Sequence, residues 1–223
     1  MKKIDRRKSY YLTIDTETTN GLDNPLVYDL GYALHDKKGN IYESGSLVIY
    51  DIYVLEKELM KSAYYKNKLP QYEEELKNGE RKMVTIFTAR KIIYDLCKEY
   101  NVKAIIAHNA RFDYKSLQTT LRYVTKSKMR WFFPYGIEIW DSMRMAQDTI
   151  CKQSLYKKFV DKYKLRVGNN LIPANAQTLY AYLTNNSEYE EKHTGLEDVK
   201  IEMAITCKCL RQHKKMRKLA FGR

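Results

Sequence analysis

The sequence predicts an α/β fold: one mixed five-stranded sheet, three antiparallel strands followed by two parallel ones, with helices on both faces. Three observations carry this expectation. Residues 10–50 read as strands joined by turns, residues 84–140 alternate helical apolar spacing with short apolar runs, and residues 141–211 read as mainly helical.

Taken in order, Tyr10–Asp15 is rich in β-branched and aromatic residues, and Thr19-Asn20-Gly21 supplies a turn soon after it. Val27–His35 is the second strand, and Asp36 to Asn40 makes a hairpin connection into Ile41–Tyr50. Residues 51–82 differ in character. Leu55–Lys66 and Tyr72–Asn78 read as helices separated by Pro70, and lysines mix with the run Glu73-Glu74-Glu75, as in a helical insertion. From Val84 to Tyr100, Ile86, Ala89, Ile93, Leu96 and Cys97 recur at helical spacing. A buried strand at Lys103–Ala107 follows, then a helix after Asn109 carrying Phe112, Leu117 and Leu121, then a fifth strand at Ile137–Trp140. Later helices are broken near Val167–Pro173 and Asn185–His193. With no repeat or low-complexity linker, residues 1–223 read as a single domain with an insertion at 51–82 and a basic tail at 211–223.

Composition narrows the partners. Forty Lys and Arg against twenty-seven Asp and Glu give a formal charge of +13, a field that attracts polyanions, of which nucleic acid is the commonest. Basic residues gather in Lys126–Phe133, interleaved with aromatics, and in Arg211–Lys218. Apolar runs such as Ala104–Ala107 fall far short of the ~20 residues that span a bilayer. Met1–Arg7 is basic but leads into no apolar stretch, so it reads as neither a secretion signal nor a tag, and the cytoplasm is the expected location. The cysteines Cys97, Cys151, Cys207 and Cys209 are expected to be reduced. Cys207, Cys209 and His213 lack a fourth ligand at zinc-site spacing.

Three acidic segments carry the chemistry. Asp15 and Glu17 end the first strand, where period-two geometry points both carboxylates to one side. Asp113 closes His108-Asn109-Ala110-Arg111-Phe112-Asp113. With Asn109 as N-cap it lies in a first helical turn at the carboxyl edge of the sheet, where α/β proteins place their sites. The helix dipole alone would also favour an acid there. In His193 to Asp198, Thr194 and Glu197 form a capping box that starts a helix at about Gly195, with Leu196, Val199, Met203, Cys207 and Leu210 as its buried stripe. His193 stands just outside this cap and Asp198 lies in the first turn. His108 repeats the spacing relative to Asp113, but it ends a buried apolar strand and reads as a hydrogen-bonded structural histidine. Carboxylates ~5 Å apart repel by about 3 kcal/mol per pair at an effective dielectric near 20, so such a cluster implies bound cations. Four of them balance two divalent ions, and all-oxygen ligands suit Mg²⁺ or Mn²⁺.

Asp15-Thr16-Glu17-Thr18-Thr19, His108 through Asp113 and His193 through Asp198, in this order, resemble the three motifs of the DEDDh 3′–5′ exonucleases, a family of the ribonuclease H-like superfamily with a three-layer α/β/α fold. The resemblance spans residues 15–198 and implies two-metal phosphodiester hydrolysis. Asp15, Glu17 and Asp198 would hold one ion, Asp15 and Asp113 the second, and His193 would be the general base. Thr16, Thr18, Asn109 and Phe112 would border the terminal nucleotide, and the 51–82 insertion could act as a flap over it. The implied substrate is a single-stranded 3′ end. DNA is favoured over RNA because the first motif is most similar to proofreading subunits, so the enzyme would be free-standing or the partner of a polymerase. A non-catalytic nucleic-acid-binding module of the same fold is the remaining alternative, and the intact acidic set argues against it. Where the family often has Gly after the paired threonines, this chain has Asn20 and then Gly21, residues that both tolerate a left-handed turn.

Overall fold

A computed structural model describes residues 4–191 and 193–222. Its single sheet joins β1 (Tyr10–Thr19), β2 (Leu26–Asp36), β3 (Ile41–Ile49), β4 (Lys82–Val84), β5 (Ala104–Ala107) and β6 (Glu138–Asp141) in the order β4-β3-β2-β1-β5-β6. β1, β2 and β3 pair antiparallel, whereas β4 on β3, β5 on β1 and β6 on β5 pair parallel. The strands expected from sequence are all present, and the sheet has a sixth. β4 is three residues long, with Lys82 and Met83 exposed, so it carries no alternation of its own. It is a strand only because Lys82–Val84 runs beside Leu47–Ile49.

Alternation along β1 divides two cores. Tyr10, Leu12 and Ile14 face a layer containing α4 (Ile86–Glu99) and α5 (Arg111–Thr125). Tyr11 faces the opposite layer with Ala104, Ile106 and Trp140, packed on α6 (Ser142–Asp148), α7 (Ser154–Lys162), α8 (Ala176–Thr184) and α9 (Gly195–Arg211). The molecule is a three-layer α/β/α sandwich. In α4 the expected positions Ile86, Ala89, Ile93, Leu96 and Cys97 are the buried ones, and Thr85 caps the helix by accepting from Thr88 N. All four cysteines are buried and free.

Residues 50–81 hold three helices, α1 (Tyr50–Tyr53), α2 (Lys57–Met60) and α3 (Leu69–Lys77), with a 3₁₀ turn at Lys66–Lys68. The expected helix Leu55–Lys66 is cut short. The hydroxyls of Thr19 and Ser62 both donate to the carbonyl of Leu59, the acceptor the next helical turn would use, and Ala63 N bonds back to Met60 O instead. Pro70 does not divide two helices; it lies in the first turn of α3, where its missing N–H costs nothing. The segment is tied into the interior by Tyr72 and Arg81, both buried. Beyond α9, residues 218–220 run antiparallel to β6, with Asp141 N donating to Lys218 O (2.7 Å) and Ala220 N to Ile139 O (2.9 Å).

Candidate active site

β5 leaves the sheet beside the middle of β1, so the second half of β1 extends past it and meets the start of α5. Alternation then assigns each side chain of the first acidic segment. Thr16 points to the α5 layer and its Oγ1 donates to Asp113 Oδ1 at 2.8 Å. Asp15 and Glu17 point the other way, toward α9. The β1–β2 register shifts between Glu17 and Thr18, a bulge of the kind that re-aims side chains at sites.

Asp198 is delivered by a close approach of two backbones. Asp15 pairs with Gly31 across the sheet, and Gly31 lies directly under Gly195, the first residue of α9. A Cβ on Gly31 would sit 2.1 Å from the carbonyl oxygen of Gly195, so no other residue fits. Gly195 N also donates to Asp29 Oδ2 at 3.1 Å. Asp29 is the cross-strand neighbour of Glu17 and is fully buried. Its carboxylate further accepts from Arg81 (2.7 Å), Tyr72 Oη (2.7 Å) and Ser46 Oγ (2.6 Å). One buried ion pair thus joins β2, β3, the 50–81 segment and the start of α9.

The result is a cleft of about 440 Å³ lined by Asp15, Thr16, Glu17, Thr18, Asn109, Phe112, Asp113, His193 and Asp198, so every site residue expected from sequence faces one space. Carboxylate oxygens of Asp15, Glu17 and Asp198 lie within 4.8 Å of one another. Asp113 stands beside this triad through Thr16 rather than within it. Burial, reinforced by neighbouring acids, raises these carboxyls. Asp15 is held well above the carboxylate range by desolvation and by Glu202, Glu17 is pushed up to about 9, and Asp198 to about 7. Asp113 is raised to about 7 by burial against the opposing pull of the Thr16 hydrogen bond.

Phe112 is half-buried on the cleft wall rather than in the core. Asn109 does not cap α5 as expected; its φ is +65°, Ala110 occupies the cap position, and Asn109 N is taken by Asp141 Oδ1 at 3.2 Å. The Thr194–Glu197 box is also altered: the threonine hydroxyl bonds the Glu197 carboxylate rather than a backbone N–H. His108 is held on both ring nitrogens, by Ser142 Oγ (2.9 Å) and Ala174 O (2.7 Å), which leaves it no free lone pair or proton. His193 is different. Its ring stacks on Tyr65, burial and the nearby Lys68 cation lower its pKa, and Nδ1 lies 4.0 Å from a Glu191 oxygen.

Sequence reasoning missed Glu202. It is buried on α9 one turn after Asp198, accepts a bond from His108 N (3.0 Å), and is raised well above the carboxylate range by burial and by Asp113. The signal was its i+4 spacing from Asp198, which puts both on one helix face. The buried residues of α9 are Gly195, Asp198, Val199, Ile201, Glu202, Ile205, Thr206, Cys207 and Cys209; Val199 and Cys207 of the expected stripe are among them, whereas Leu196, Met203 and Leu210 are only half-buried. Glu191, Tyr64 and Tyr65 also reach the cleft unannounced.

The donor set fits a hard divalent cation. It is all oxygen, it is crowded, and Asp198 Oδ1 is buried without a hydrogen-bond partner among the described residues. No helix of the described residues is long and apolar enough to cross a membrane.

No family model and no curated protein matches the chain. Solved structures do. Escherichia coli exonuclease I in complex with an oligonucleotide matches 92% of this chain at 14% identity and a TM-score of 0.55. Exonuclease I from Methylocaldum szegediense matches 92% at 16% identity with a TM-score of 0.54. A zinc-bound exonuclease I–ssDNA complex from E. coli gives 92%, 14% and 0.52. The match covers 41% of each of those chains, so this chain spans about two fifths of their length. At this identity the likeness speaks to architecture, and the chain has the ribonuclease H-like fold of those exonucleases.

Proposed function

We propose that the chain is a metal-dependent 3′–5′ exonuclease that hydrolyses the terminal phosphodiester of a nucleic-acid strand, with DNA the favoured substrate. The observation that carries the reading is the meeting of Asp15, Glu17 and Asp198 oxygens within 4.8 Å, beside Asp113 and His193 in one cleft. Asp15, Glu17 and Asp198 would hold one divalent cation and Asp113, with Asp15, a second, either Mg²⁺ or Mn²⁺. Bound there, such ions supply Lewis-acid activation of water and charge stabilisation at the leaving oxygen.

The chain's own groups do the rest. His193, held neutral near pH 7 by its lowered pKa, accepts the proton of the attacking water. Its Nδ1 faces Glu191, so a proton gained on the ring has a carboxylate close by. Phe112 offers an aromatic face to the terminal base, and Asn109, Thr16 and Thr18 border the sugar and phosphate. Glu202 fixes the backbone at His108, where β5 turns into α5. The net charge of +13 draws the polyanion to the protein, and the exonuclease I structures with bound oligonucleotide support the substrate class.

End-labelled single-stranded DNA, duplex DNA and RNA, each with free and blocked 3′ ends, test the reading in Mg²⁺ and in Mn²⁺. Mononucleotide release from free 3′ ends is expected, fastest on single-stranded DNA. Release from RNA alone would make it an exoribonuclease. Binding without cleavage in either metal would leave a non-catalytic module.

A further inference from the structure

A second cavity, of about 990 Å³ against about 440 Å³ for the acidic cleft, lies elsewhere on the protein. Residues of α4, α5, the stretch from Met129 to Ile139, and Leu219 and Phe221 line it. Phe87, Met129, Trp131, Tyr135, Leu219 and Phe221 line it, and each is exposed, Trp131 by 53% and Tyr135 fully. Monomeric proteins seldom leave so many large apolar side chains on one concave surface without an occupant.

The loop that carries these aromatics is held rigid from beneath. Arg90 Nε donates to Trp131 O (2.7 Å), Tyr94 Oη to Phe133 O (2.7 Å), and Phe132 N to Gln118 Oε1 (3.0 Å). Phe132 and Phe133 are buried anchors, and Phe133 stacks on Tyr114 with ring centroids 4.9 Å apart. Their neighbours Trp131 and Tyr135 are thereby presented outward on fixed backbone, so a ligand meets a preformed surface.

Charge identifies the ligand. Guanidinium groups sit over the rim rings: Arg130 over Phe87, Arg122 over Trp131, Arg90 over Tyr94 and Arg111 over Phe221. Among the described residues none of these four arginines is paired with a carboxylate, in contrast to Arg81. Among the described residues Arg122 Nε is buried without a hydrogen-bond partner. Glu138, the one acid among the described residues lining the cavity, already accepts from Trp140 Nε1. Exposed π-faces flanked by uncompensated cations match alternating bases and phosphates.

Position links this cavity to the acidic cleft. Phe112 and Asp113 line the cleft, and the next residue, Tyr114, lines the cavity, so only the first turn of α5 separates them. A helix is roughly 10–12 Å across with its side chains, a gap a strand of few nucleotides bridges. We infer that the cavity is a second nucleic-acid subsite, which stacks bases of a single strand on Trp131 and Tyr135 while the strand's 3′ end occupies the acidic cleft. This rests on the nuclease reading of that cleft.

Anisotropy with labelled single strands of about four and about twelve nucleotides, with Ca²⁺ in place of Mg²⁺, tests it in the wild type and in the Trp131→Ala/Tyr135→Ala double variant. Both side chains are surface-exposed, and circular dichroism confirms the fold of the variant. The wild type should bind the longer strand more tightly, and the variant should lose that gain, by about fivefold to a hundredfold, the span of one lost base–aromatic stack. Arg130→Glu should weaken the longer strand similarly and flatten its salt dependence. Equal affinity of wild type and double variant for the longer strand would overturn the subsite and assign the cavity to another partner. A wild type that binds neither strand and releases no nucleotide would instead overturn the reading of the cleft.

Discussion

The ring of Tyr65 lies 4.3 Å from the ring of His193 and within 7° of parallel to it. His193 has a φ of +54° and precedes the helix, so little in its own backbone fixes the ring. Tyr65 supplies that restraint from the 50–81 segment. Tyr65→Ala should lower kcat by roughly tenfold to a hundredfold, the scale of a misplaced catalytic group, with Mn²⁺ affinity unchanged. Tyr65→Phe, which keeps the stack, should restore kcat. Steady-state kinetics and metal titration of both variants separate positioning from folding, and equal kcat in Tyr65→Ala and wild type would remove Tyr65 from the site.

His193→Ala should cost roughly 10²–10⁴ in rate if the imidazole takes the proton of water. The pH–rate profile of the wild type should lose activity on acidification as the ring becomes protonated, and that limb should vanish in the variant. A variant turning over at the wild-type rate would transfer the role to another group.

The crowded acids make metal-free stability depend on pH in an unusual direction. Asp113 and Asp198 are raised to about 7 and Glu17 to about 9, from ordinary values near 4. The folded protein therefore holds more protons than the unfolded chain between about pH 4 and those values, and its stability falls as pH rises through that window. Differential scanning fluorimetry in chelator should show Tm declining from about pH 5 to about pH 8, with Mg²⁺ or Mn²⁺ recovering more at the higher pH. Asp15→Asn should raise the metal-free Tm while abolishing cleavage. A Tm indifferent to metal throughout would contradict the proposed ion site.

Gly31→Ala tests how α9 is seated. The added methyl would meet the Gly195 carbonyl at 2.1 Å, backbone against backbone, so the helix start must move. A loss of about 1–3 kcal/mol or more is expected from urea unfolding, together with weakened metal binding as Asp198 leaves Asp15. Unchanged Mn²⁺ affinity would show that Asp198 is placed by other means.

Arg81→Met removes the cation from a buried pair and leaves Asp29 without its charge partner. Breaking such a pair costs about 3–5 kcal/mol, several times an ordinary surface substitution. Asp29→Asn in the same background should recover part of the loss, which a double-mutant cycle by denaturant titration would reveal. Additive effects would mean the two side chains act independently.

What was legible in the sequence was local. Alternation in β1 and helical spacing in α4 are properties of consecutive residues, and both survive folding intact. The carboxylates could be named because Asp15 with Glu17, and Asp198 after its cap, announce their directions by position alone. What failed depended on distant partners. β4 becomes a strand only against β3, α2 stops where Thr19 bonds the Leu59 carbonyl, and the start of α9 is seated against Gly31, 164 residues away in the chain. Glu202 was hidden because a charged side chain in a helix reads as solvent-facing until its burial is seen. The reach of Tyr64 and Tyr65 into the cleft belongs to a segment whose composition says only that it is polar and helical.

Both margins of the sheet are blunted. At one side, residues 218–220 already occupy the hydrogen-bonding row of β6; at the other, β4 offers only three residues and begins with an exposed lysine. Long bare strand edges invite pairing between copies and, eventually, fibres. Among the described residues, a protein so basic and so rich in tyrosine therefore presents neighbouring copies with no extended strand edge to pair on.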